Sequence, residues 1–378
     1  MNQGSINSKQ SSNDKFDFHR LNPNAFQTLD APVNSFVFIE DVTSDLLYGD
    51  PEKGQNPLFS VVIPTFNRED LFREALESAL AQEHTDFPWE LLVVDNTPAD
   101  AQGMTPALKV VRELGNPSVL YYRNRVNIGT GYNWNRGAEL ARGEWVVFLH
   151  DDDILYPDAL SNLARIIRSQ SSGKKPLGYV HARRDLFSDS AELPNLQHSK
   201  ANYFAPLTRT GALFRGESGT GMPSCGTAIL KKAYLEAGGI NYDFGLTADA
   251  ILGYQIMKDY RVIVSDCALG AYRWAENETL RKSSLLGLVH SDYLFAQYRY
   301  SLSPFSRLWG RLFWRAEHNE NMGYKIKDGK RKDILLSPQD FDFIVPYRPT
   351  NGFLSILHRA LRKLYFGLSN LKAKLQYS

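Results

Sequence analysis

A short apolar strand that runs directly into four polar residues constrains this chain more than any other feature. Residues 145–149 form a continuous apolar run, which is typical of a strand buried on both faces. His150 and the carboxylates Asp151, Asp152 and Asp153 follow without a break. Carboxylates crowded at a strand end repel one another and lose hydration, so a cation is expected to compensate them. A hard divalent ion, Mn²⁺ or Mg²⁺, whose coordination is completed by phosphate oxygens, meets that requirement.

The alternative explanation for these acidic residues is a helix N-terminus, where carboxylates are favoured. The residues from Asp158 onward have a helical pattern, so this explanation accounts for Asp158. It does not account for a triplet of carboxylates that lies before Pro157. We therefore predict a metal site at residues 151–153.

Helical patterns alternate with apolar runs in the first half of the chain. Strands are predicted at residues 58–63, 90–94 and 119–122, and helices at residues 71–80, 107–114 and 132–141. This alternation, through about residue 170, predicts an α/β fold with a doubly wound, mostly parallel sheet. Ligands of such sheets bind beyond the carboxyl ends of the strands. The strand ends at residues 64–68, 95–97 and 151–153 are therefore expected to form one crevice that suits a nucleotide diphosphate.

Composition excludes several other classes of protein. The 378 residues include 43 Lys and Arg and 42 Asp and Glu, and the net charge of +1 gives no reason to expect nucleic acid as a partner. Cys225 and Cys267 are the two cysteines, which indicates a reducing compartment rather than a disulfide framework. No apolar run has the length of a membrane-spanning helix, and residues 1–15 are polar, without the apolar core of a signal peptide. We expect residues 1–15 to be disordered and the protein to be cytoplasmic.

The order and spacing of four motifs resemble the family 2 glycosyltransferases. The motifs are Ser60-Val-Val-Ile-Pro-Thr-Phe-Asn-Arg68, Leu92-Val-Val-Asp95, Asn127-x-Gly129 leading to Arg136-Gly-Ala-x-x-Ala-Arg-Gly143, and the Asp triplet. The resemblance implies the GT-A fold, with a Rossmann-like nucleotide-binding half, an irregular acceptor half and a C-terminal helical extension. It implies transfer of a hexosyl-type sugar, with inversion, from a nucleotide diphosphate sugar, UDP-linked in our prediction. The acceptor would be a glycan or a lipid-linked glycan of a bacterial surface polysaccharide.

The resemblance also implies which residues contact the nucleotide sugar. They are Pro64, Thr65, Phe66, Asn67, Arg68, Asp95, Arg125, Asn127, Gly129, His150 and Asp151. Asp95 matches the carboxylate that accepts a hydrogen bond from the pyrimidine ring, and a helix-capping Asp after a strand is the alternative. For Arg125 the alternative is a solvated loop residue.

The metal motif departs from the family's usual pattern. Aligned on Ile154-Leu-x-Pro157, the family's Asp-x-Asp-Asp falls on residues 150–153, so His150 stands at the first acidic position. The resemblance implies Asp152 as the first metal ligand, with Asp153 as the second candidate. Asp151 or Asp153 would support the metal site indirectly, through a water molecule or hydrogen bonds, and His150 would contact ribose or phosphate.

Asp249 matches the family's catalytic acidic residue at the start of a helix, although Ala248 stands where another acid usually precedes it. Inverting transfer needs a general base, because the acceptor hydroxyl loses its proton as it attacks the anomeric carbon. The alternative for Asp249 is an ordinary helix-start carboxylate. Residues 272–277 resemble the family's Arg-x-His-x-x-Asn segment, in which Ala275 replaces the histidine that can bind the metal, so a water or Glu276 would take its place.

Five further local predictions follow from the sequence. Asn67 is a candidate N-cap of the first helix, and residues 36–39 are either an edge strand or a segment packed on the main domain. Residues 211–228 are expected to form a loop that shapes a pocket, with a flap near residues 272–277, and the apolar stripe at residues 302–313 predicts a helix.

These patterns predict three regions along the chain. Residues 1–57 form an N-terminal extension, residues 58–282 a GT-A domain (58–170 nucleotide-sugar half, 171–282 acceptor half), and residues 283–378 a basic, amphipathic helical extension. Basic amphipathic helices bind anionic membrane surfaces, their own domain or a second copy of the chain. Peripheral contact with the inner membrane face and a homodimer therefore both stay open.

One other function stays open from the sequence. A non-catalytic module that binds sugar nucleotides or glycans would explain His150, Ala248 and Ala275. A hydride-transferring dehydrogenase is disfavoured, because no Gly-x-Gly-x-x-Gly follows the first strand.

Overall fold

The computed structural model describes residues 21–31, 33–52, 56–170, 173, 175–188, 204–207, 209, 225–274, 281–330 and 334–377. The strands are β1 (Ser44–Tyr48), β2 (Phe59–Thr65), β3 (Trp89–Asp95), β4 (Val119–Asn124), β5 (Trp145–Phe148), β6 (Ile154–Leu155), β7 (Leu177–Phe187), β8 (Phe204–Leu207), β9 (Thr227–Leu230) and β10 (Arg261–Arg273). The α-helices are α1 (Asp70–Leu80), α2 (Pro106–Leu114), α3 (Thr130–Leu140), α4 (Ala159–Ser169), α5 (Lys231–Glu236), α6 (Ala248–Ile256), α7 (Lys282–Ser301), α8 (Pro304–Lys330) and α9 (Gly352–Tyr377). Short 3-10 helices lie at Pro23–Thr28, Ser35–Phe38, Gly245–Thr247 and Pro338–Phe341. The segment that we expect to be disordered, residues 1–15, lies outside the described residues.

The strands form one mixed sheet in the order β1-β4-β3-β2-β5-β9-β7-β10-β6, and β8 pairs with β10. Strands β4, β3, β2 and β5 are mutually parallel, as the strand–helix alternation predicts. The later half adds mainly antiparallel pairs, through β9 against β5 and β7 and through β6 and β8 against β10. The α/β class and the helical C-terminal part are confirmed, and the parallel pairing is concentrated in the half predicted to bind the nucleotide.

The parallel part of the sheet is covered on both faces, as a doubly wound fold requires. On one face, alternate strand residues such as Val61 and Val93 pack against α1, α2 and α4. On the other face, Val62 and Leu92 pack against α3, α5 and α6. Successive residues of a strand point to opposite faces, so a sheet buried on both sides needs unbroken apolar runs. In α3, a Cβ added at Gly137 would lie 2.4 Å from Val62 Cγ1, so glycine lets this helix approach the sheet closely.

The N-terminal segment packs against α3 instead of extending the sheet at residues 36–39. Ser35–Phe38 is a 3-10 helix, and Ile39 is buried beside Tyr132 of α3. The guanidinium of Arg136, also in α3, donates to the carbonyl oxygens of Ile39 and Val42 at 2.6 Å each. Of the two alternatives left open by the sequence, an edge strand or a packed segment, the structure has the packed segment. The edge strand is β1, which pairs antiparallel with β4.

Two local features differ from the sequence-based expectation. Asn67 does not cap α1, because it adopts a positive φ of 52° and the helix begins at Asp70 with Glu69 at the N-cap. Residues 211–228 were expected to form one loop, but Thr227 and the residue after it belong to β9. Residues 211–224 of that expected loop lie outside the described part of the chain.

The C-terminal stripe predicted at residues 302–313 divides into two faces. Trp309 and Phe313 are buried in a cluster with α7 and α9, whereas Phe305 and Leu308 are 54% and 55% exposed. The apolar pattern predicted the helix correctly, but it did not predict which of the apolar residues are buried. In the described part of the chain, no helix combines the length and the apolar character needed to cross a bilayer.

Candidate active site

The carboxyl ends of β2, β3 and β5 meet at one edge of the sheet. Thr65 is in register with Asp95, and the backbone N–H of Asn96 donates to the carbonyl oxygen of Thr65 at 3.0 Å. The backbone N–H of Asn67 donates to Oγ1 of Thr97 at 2.7 Å, which ties the turn after β2 to the end of β3. The residues of the predicted crevice from β2 and β3 are therefore in direct contact.

Asp151 connects β5 to the turn after β2. Its Oδ2 accepts hydrogen bonds from Thr65 Oγ1 at 2.8 Å and from the Phe66 backbone N–H at 3.4 Å. Arg68 lies 3.7 Å from Asp151 and 3.5 Å from a carboxylate oxygen of Asp152. Burial, and then the neighbouring Asp152 charge, raise the pKa of Asp151 to about 6. The arginine partly offsets this repulsion, so the turn at residues 64–68 and the acidic cluster form one electrostatic unit.

His150, Asp152 and Asp153 form a group that could hold a metal ion. One ligand atom from each lies within 4.8 Å of the others. Asp153 is fully buried, and its Oδ2 lies 3.7 Å from Nδ1 of His150. Burial lowers the pKa of His150 to about 4, against the opposing effect of Asp152, so the imidazole is neutral at pH 7. Two carboxylates and a neutral imidazole suit Mn²⁺, and the imidazole makes the set less suited to Mg²⁺, which prefers oxygen.

Arg273, at the end of β10, holds this acidic turn in place; it is the arginine of the Arg-x-His-x-x-Asn-like segment, and the sequence analysis assigned it no role. Its backbone N–H donates to Asp153 Oδ1 at 2.9 Å, and its Nε donates to the Asp152 carbonyl at 2.8 Å. Its guanidinium also binds Glu74 of α1 at 2.5 Å and lies 4.4 Å from the ring centre of Phe187. Arg273 therefore fixes the backbone from which both candidate metal ligands project.

Asp95 lies at the end of β3 with its carboxylate fully buried. One oxygen accepts from the Thr97 backbone N–H at 2.7 Å, and the other accepts from Thr105 Oγ1 at 2.7 Å and from the Tyr121 hydroxyl at 2.5 Å. Thr105 is also the N-cap of α2, since its Oγ1 accepts from the Leu108 backbone N–H. These bonds give Asp95 a structural role, close to the capping alternative, whatever its role toward a nucleotide.

The loop before α3 is fastened by side-chain hydrogen bonds. Arg125 is exposed and forms an ion pair with Asp45 of β1, with 2.8 Å between Nη2 and Oδ1. Asn127 Oδ1 accepts from the Gly129 backbone N–H at 2.8 Å, and Gly129 precedes α3 with φ of 77°. The amide of Asn96 donates to the Gly129 carbonyl at 3.1 Å, so Asn127 and Gly129 lie beside the end of β3. The ion pair of Arg125 agrees with the surface alternative left open for that residue.

Asp249 lies in the first turn of α6 and is half-buried. Its Oδ1 accepts from the Ala250 backbone N–H at 2.7 Å. Burial, and then the charge of Asp249, raise the pKa of Tyr179 far above its usual value, which places this carboxylate near a buried side chain of β7. The charge of Arg184 opposes that shift, and it also contributes to lowering the pKa of His150. Arg184 is therefore close enough to Tyr179 and to His150 to affect the pKa of both.

Arg184 is the second residue of this site that the sequence did not identify. Its guanidinium carbon lies 4.7 Å from the ring centre of Tyr272, so β7 and β10 together hold a cation close to the acidic cluster. The only signal in the sequence is a basic pair in a strand of a half predicted to be irregular, which does not distinguish a site residue from a solvated one. Ala275, Glu276 and the flap expected near them lie outside the described residues.

Comparison with known proteins finds a matching family and several similar proteins. The family described as Glycosyl transferase family 2 matches residues 60–238. The chain is 30% identical to the Succinoglycan biosynthesis protein ExoO of Rhizobium meliloti over 64% of this chain and 66% of that protein. It is 34% identical to the GalNAc(5)-diNAcBac-PP-undecaprenol beta-1,3-glucosyltransferase of Campylobacter jejuni over 33% of this chain and 37% of that enzyme. Residues 60–238 are similar in sequence to the family 2 glycosyltransferases.

The similarity does not extend over the whole of these proteins. The chain spans from 37% to 66% of the length of the two relatives named above. Among solved structures, the mannosyltransferase PcManGT of Pyrobaculum calidifontis, in complex with GDP-Man and Mn²⁺, is similar with 16% identity, a TM-score of 0.48 and coverage of 88% of each chain.

Proposed function

We propose that this chain is a metal-dependent, inverting glycosyltransferase that moves a sugar from a UDP-linked donor to a hydroxyl of a glycan or lipid-linked acceptor. In this proposal residues 58–170 bind the donor and residues 171–282 bind the acceptor. The reaction takes place in the cytoplasm, at the inner face of the membrane. The observation that carries the proposal is the contact of the turn at residues 64–68 with the cluster at residues 150–153. A nucleotide diphosphate needs both a backbone turn and a compensating cation, and this edge of the sheet offers the two together.

The donor set fits a divalent metal. Asp152 and Asp153 supply hard carboxylate oxygens, and the neutral His150 has a nitrogen lone pair to offer. When bound, the ion would neutralise the charge that develops on the leaving diphosphate. Arg273 keeps the two carboxylates in their positions, and Arg68 places a further positive charge beside them. We assign His150 to this group as well as to the nucleotide contacts implied by the resemblance.

Asp249 is the proposed general base. The acceptor oxygen forms its bond to the anomeric carbon as the bond from that carbon to the diphosphate oxygen breaks, and the hydroxyl proton passes to the carboxylate. Asp249 lies in the first turn of α6, where one carboxylate oxygen accepts from the Ala250 backbone N–H. Support for an acceptor on a glycan or a lipid carrier comes from the two relatives, whose names specify succinoglycan synthesis and an undecaprenol-linked acceptor.

A panel of nucleotides tests the proposal. Because the metal and the diphosphate would bind together, we expect UDP and UDP-sugars to raise the melting temperature with Mn²⁺ present and to have little effect with a chelator. We also expect slow, Mn²⁺-dependent hydrolysis of the UDP-sugar that stabilises the protein most. Stabilisation without any hydrolysis would favour the non-catalytic binding module. No stabilisation by any nucleotide diphosphate, with or without metal, would exclude both functions.

Asp95 gives a prediction about the choice of nucleotide. If its carboxylate accepts a hydrogen bond from a uracil ring, Asp95→Ala should reduce the difference between the thermal shifts produced by UDP and by GDP. The same change removes the buried bonds to Thr105 and Tyr121 and should lower the free energy of unfolding by about 1–3 kcal/mol. Tyr121→Phe is the matched control, because it removes one of these bonds but keeps the carboxylate. A UDP preference that both variants keep would leave Asp95 with its structural role alone.

A further inference from the structure

Helix α8 has two apolar faces near its start. Trp309 and Phe313 pack into the cluster shared with α7 and α9. On the neighbouring face, Phe305, Leu308 and Leu312 are 54%, 55% and 47% exposed. A helix that only docks on its own protein needs one apolar face, so the second face is not explained by the fold.

Helix α9 repeats this arrangement. Its inner face contributes Leu354, Leu357, Leu361 and Tyr365 to the same cluster. Its exposed apolar residues are Phe353, Ile356, Leu364 and Leu368, with between 58% and 70% of each side chain in contact with solvent. Spacings of three, four and eight residues put these four side chains on one side of the helix.

The parts of the chain that carry the two exposed stripes lack acidic residues, whereas the second half of α8 contains Glu317, Glu320 and Asp328. Residues 301–315 and 351–378 contain eight Lys and Arg residues and no Asp or Glu. The whole chain has a net charge of only +1, so the remainder of the protein is net acidic. Arg307 and Arg311 are exposed beside Leu308 and Leu312 on α8, and Arg359 and Lys363 are exposed on α9. Each exposed apolar stripe therefore has cations next to it.

Exposed apolar stripes flanked by cations favour a bilayer over a second copy of the chain as the surface that covers them. In a symmetric dimer through these stripes, each subunit would bring the same flanking cations, and like charges at an interface are unfavourable. An anionic bilayer supplies what both features need, because acyl chains accept the apolar side chains while lipid phosphates attract the flanking cations. The helices lie on such a surface in this arrangement and do not cross it.

We propose that α8 and α9 bind the surface of a bilayer that contains anionic lipid, through the exposed apolar residues 305, 308 and 312 of α8 and 353, 356, 364 and 368 of α9. The inference goes beyond the proposed sugar transfer, since it rests on these helices alone. It would bring the enzyme to the surface at which a lipid-linked acceptor is anchored.

Co-sedimentation with vesicles tests this proposal without any measurement of sugar transfer. We expect the full chain to bind phosphatidylcholine vesicles that contain phosphatidylglycerol, to bind pure phosphatidylcholine vesicles much more weakly, and to be released by high salt. Leu308→Glu and Ile356→Glu should each lower the affinity roughly tenfold or more, because an inserted apolar side chain is replaced by an anion. Arg307→Glu should lower it roughly fivefold or more through charge alone.

The matched control is Val37→Glu, which places the same carboxylate at a residue that is 47% exposed in the N-terminal part of the chain. It should bind vesicles as the unaltered protein does. If a Glu variant unfolds, as its melting curve would show, Leu308→Ser and Ile356→Ser take its place, and the lipid and salt dependence of the unaltered chain tests the proposal without any variant. Equal binding to both kinds of vesicle, or none, would overturn the proposal. So would a stable dimer, seen by light scattering, that Leu308→Glu dissociates.

Discussion

Replacing Asp249 with Asn is expected to lower sugar transfer by roughly 10²–10⁴-fold while the affinity for the nucleotide sugar stays nearly unchanged. The proton of the acceptor has to be accepted only as the new bond forms, whereas donor binding depends on the turn at residues 64–68 and on the metal group. Asn has nearly the size of Asp and can still accept the hydrogen bond from Ala250, so the helix start should be retained. Calorimetric donor affinity and single-turnover transfer, measured on the same variant, check this expectation.

Asp259→Asn is the matched control for this variant. It makes the same chemical change at an exposed position just after the same helix, and it should leave both measurements unaltered. Loss of donor affinity in Asp249→Asn, with the melting temperature preserved, would move Asp249 into the donor site. Full activity would make it an ordinary helix-start carboxylate, as the alternative holds.

Replacing Asp152 with Asn is expected to remove the metal dependence together with the activity. An amide does not balance the charge of a divalent cation, so transfer should fall by roughly 100-fold or more even when Mn²⁺ is in excess. The fold should survive, since Asn has nearly the size of Asp, the side chain is 14% exposed, and Arg273 donates its hydrogen bond to the Asp152 backbone carbonyl rather than to the carboxylate. The measurement that does not rely on activity is the rise in melting temperature on adding Mn²⁺ and UDP, which should be lost.

Asp70→Asn, at an exposed carboxylate in the first turn of α1, controls for the loss of one negative charge. It should keep the stabilisation by Mn²⁺ and UDP. Retention of that stabilisation in Asp152→Asn, with turnover near that of the unaltered protein, would refute the assignment of Asp152. A parallel experiment on His150→Gln asks whether the imidazole belongs to the metal group or to the nucleotide contacts.

The parts of the fold that could be predicted are those that a local sequence pattern determines without contacts to distant residues. A strand buried on both faces needs an unbroken apolar run, and β2, β3, β4 and β5 all lie within a residue or two of the predicted runs. The prediction that Asn67 caps α1 is wrong. Asn67 has a positive φ, and its backbone N–H contacts the end of the neighbouring strand instead. The division of the α8 stripe also depends on a partner helix more than forty residues away in sequence, which the apolar pattern of α8 does not contain.

The site shows the same limit. The acidic cluster was predicted because three consecutive carboxylates after a buried strand need a cation to balance their charge, whatever fold surrounds them. The roles of Arg273 and Arg184 were not predicted, because each contacts residues that are distant in sequence and that only the folded sheet brings close. Arg273 binds Asp153 across 120 residues of sequence, and no spacing rule connects them. The assignments of Asp95 and Asp249 came from family resemblance, and their roles remain predictions.

The N-terminal segment has a consequence for the order in which the chain can fold. Leu21 forms a bridge with Phe244, the Asn22 backbone N–H donates to the Asp243 carbonyl, and the Tyr298 hydroxyl donates to Asp30. These are contacts between the first described residues and residues that leave the ribosome more than two hundred positions later. Pairing of such high sequence separation is slow and comes after local structure. Residues 21–30 are therefore among the last parts of the chain to be placed. β1 can pair with β4 once residue 124 has been synthesised, whereas residues 21–30 contact partners as far along the chain as Tyr298.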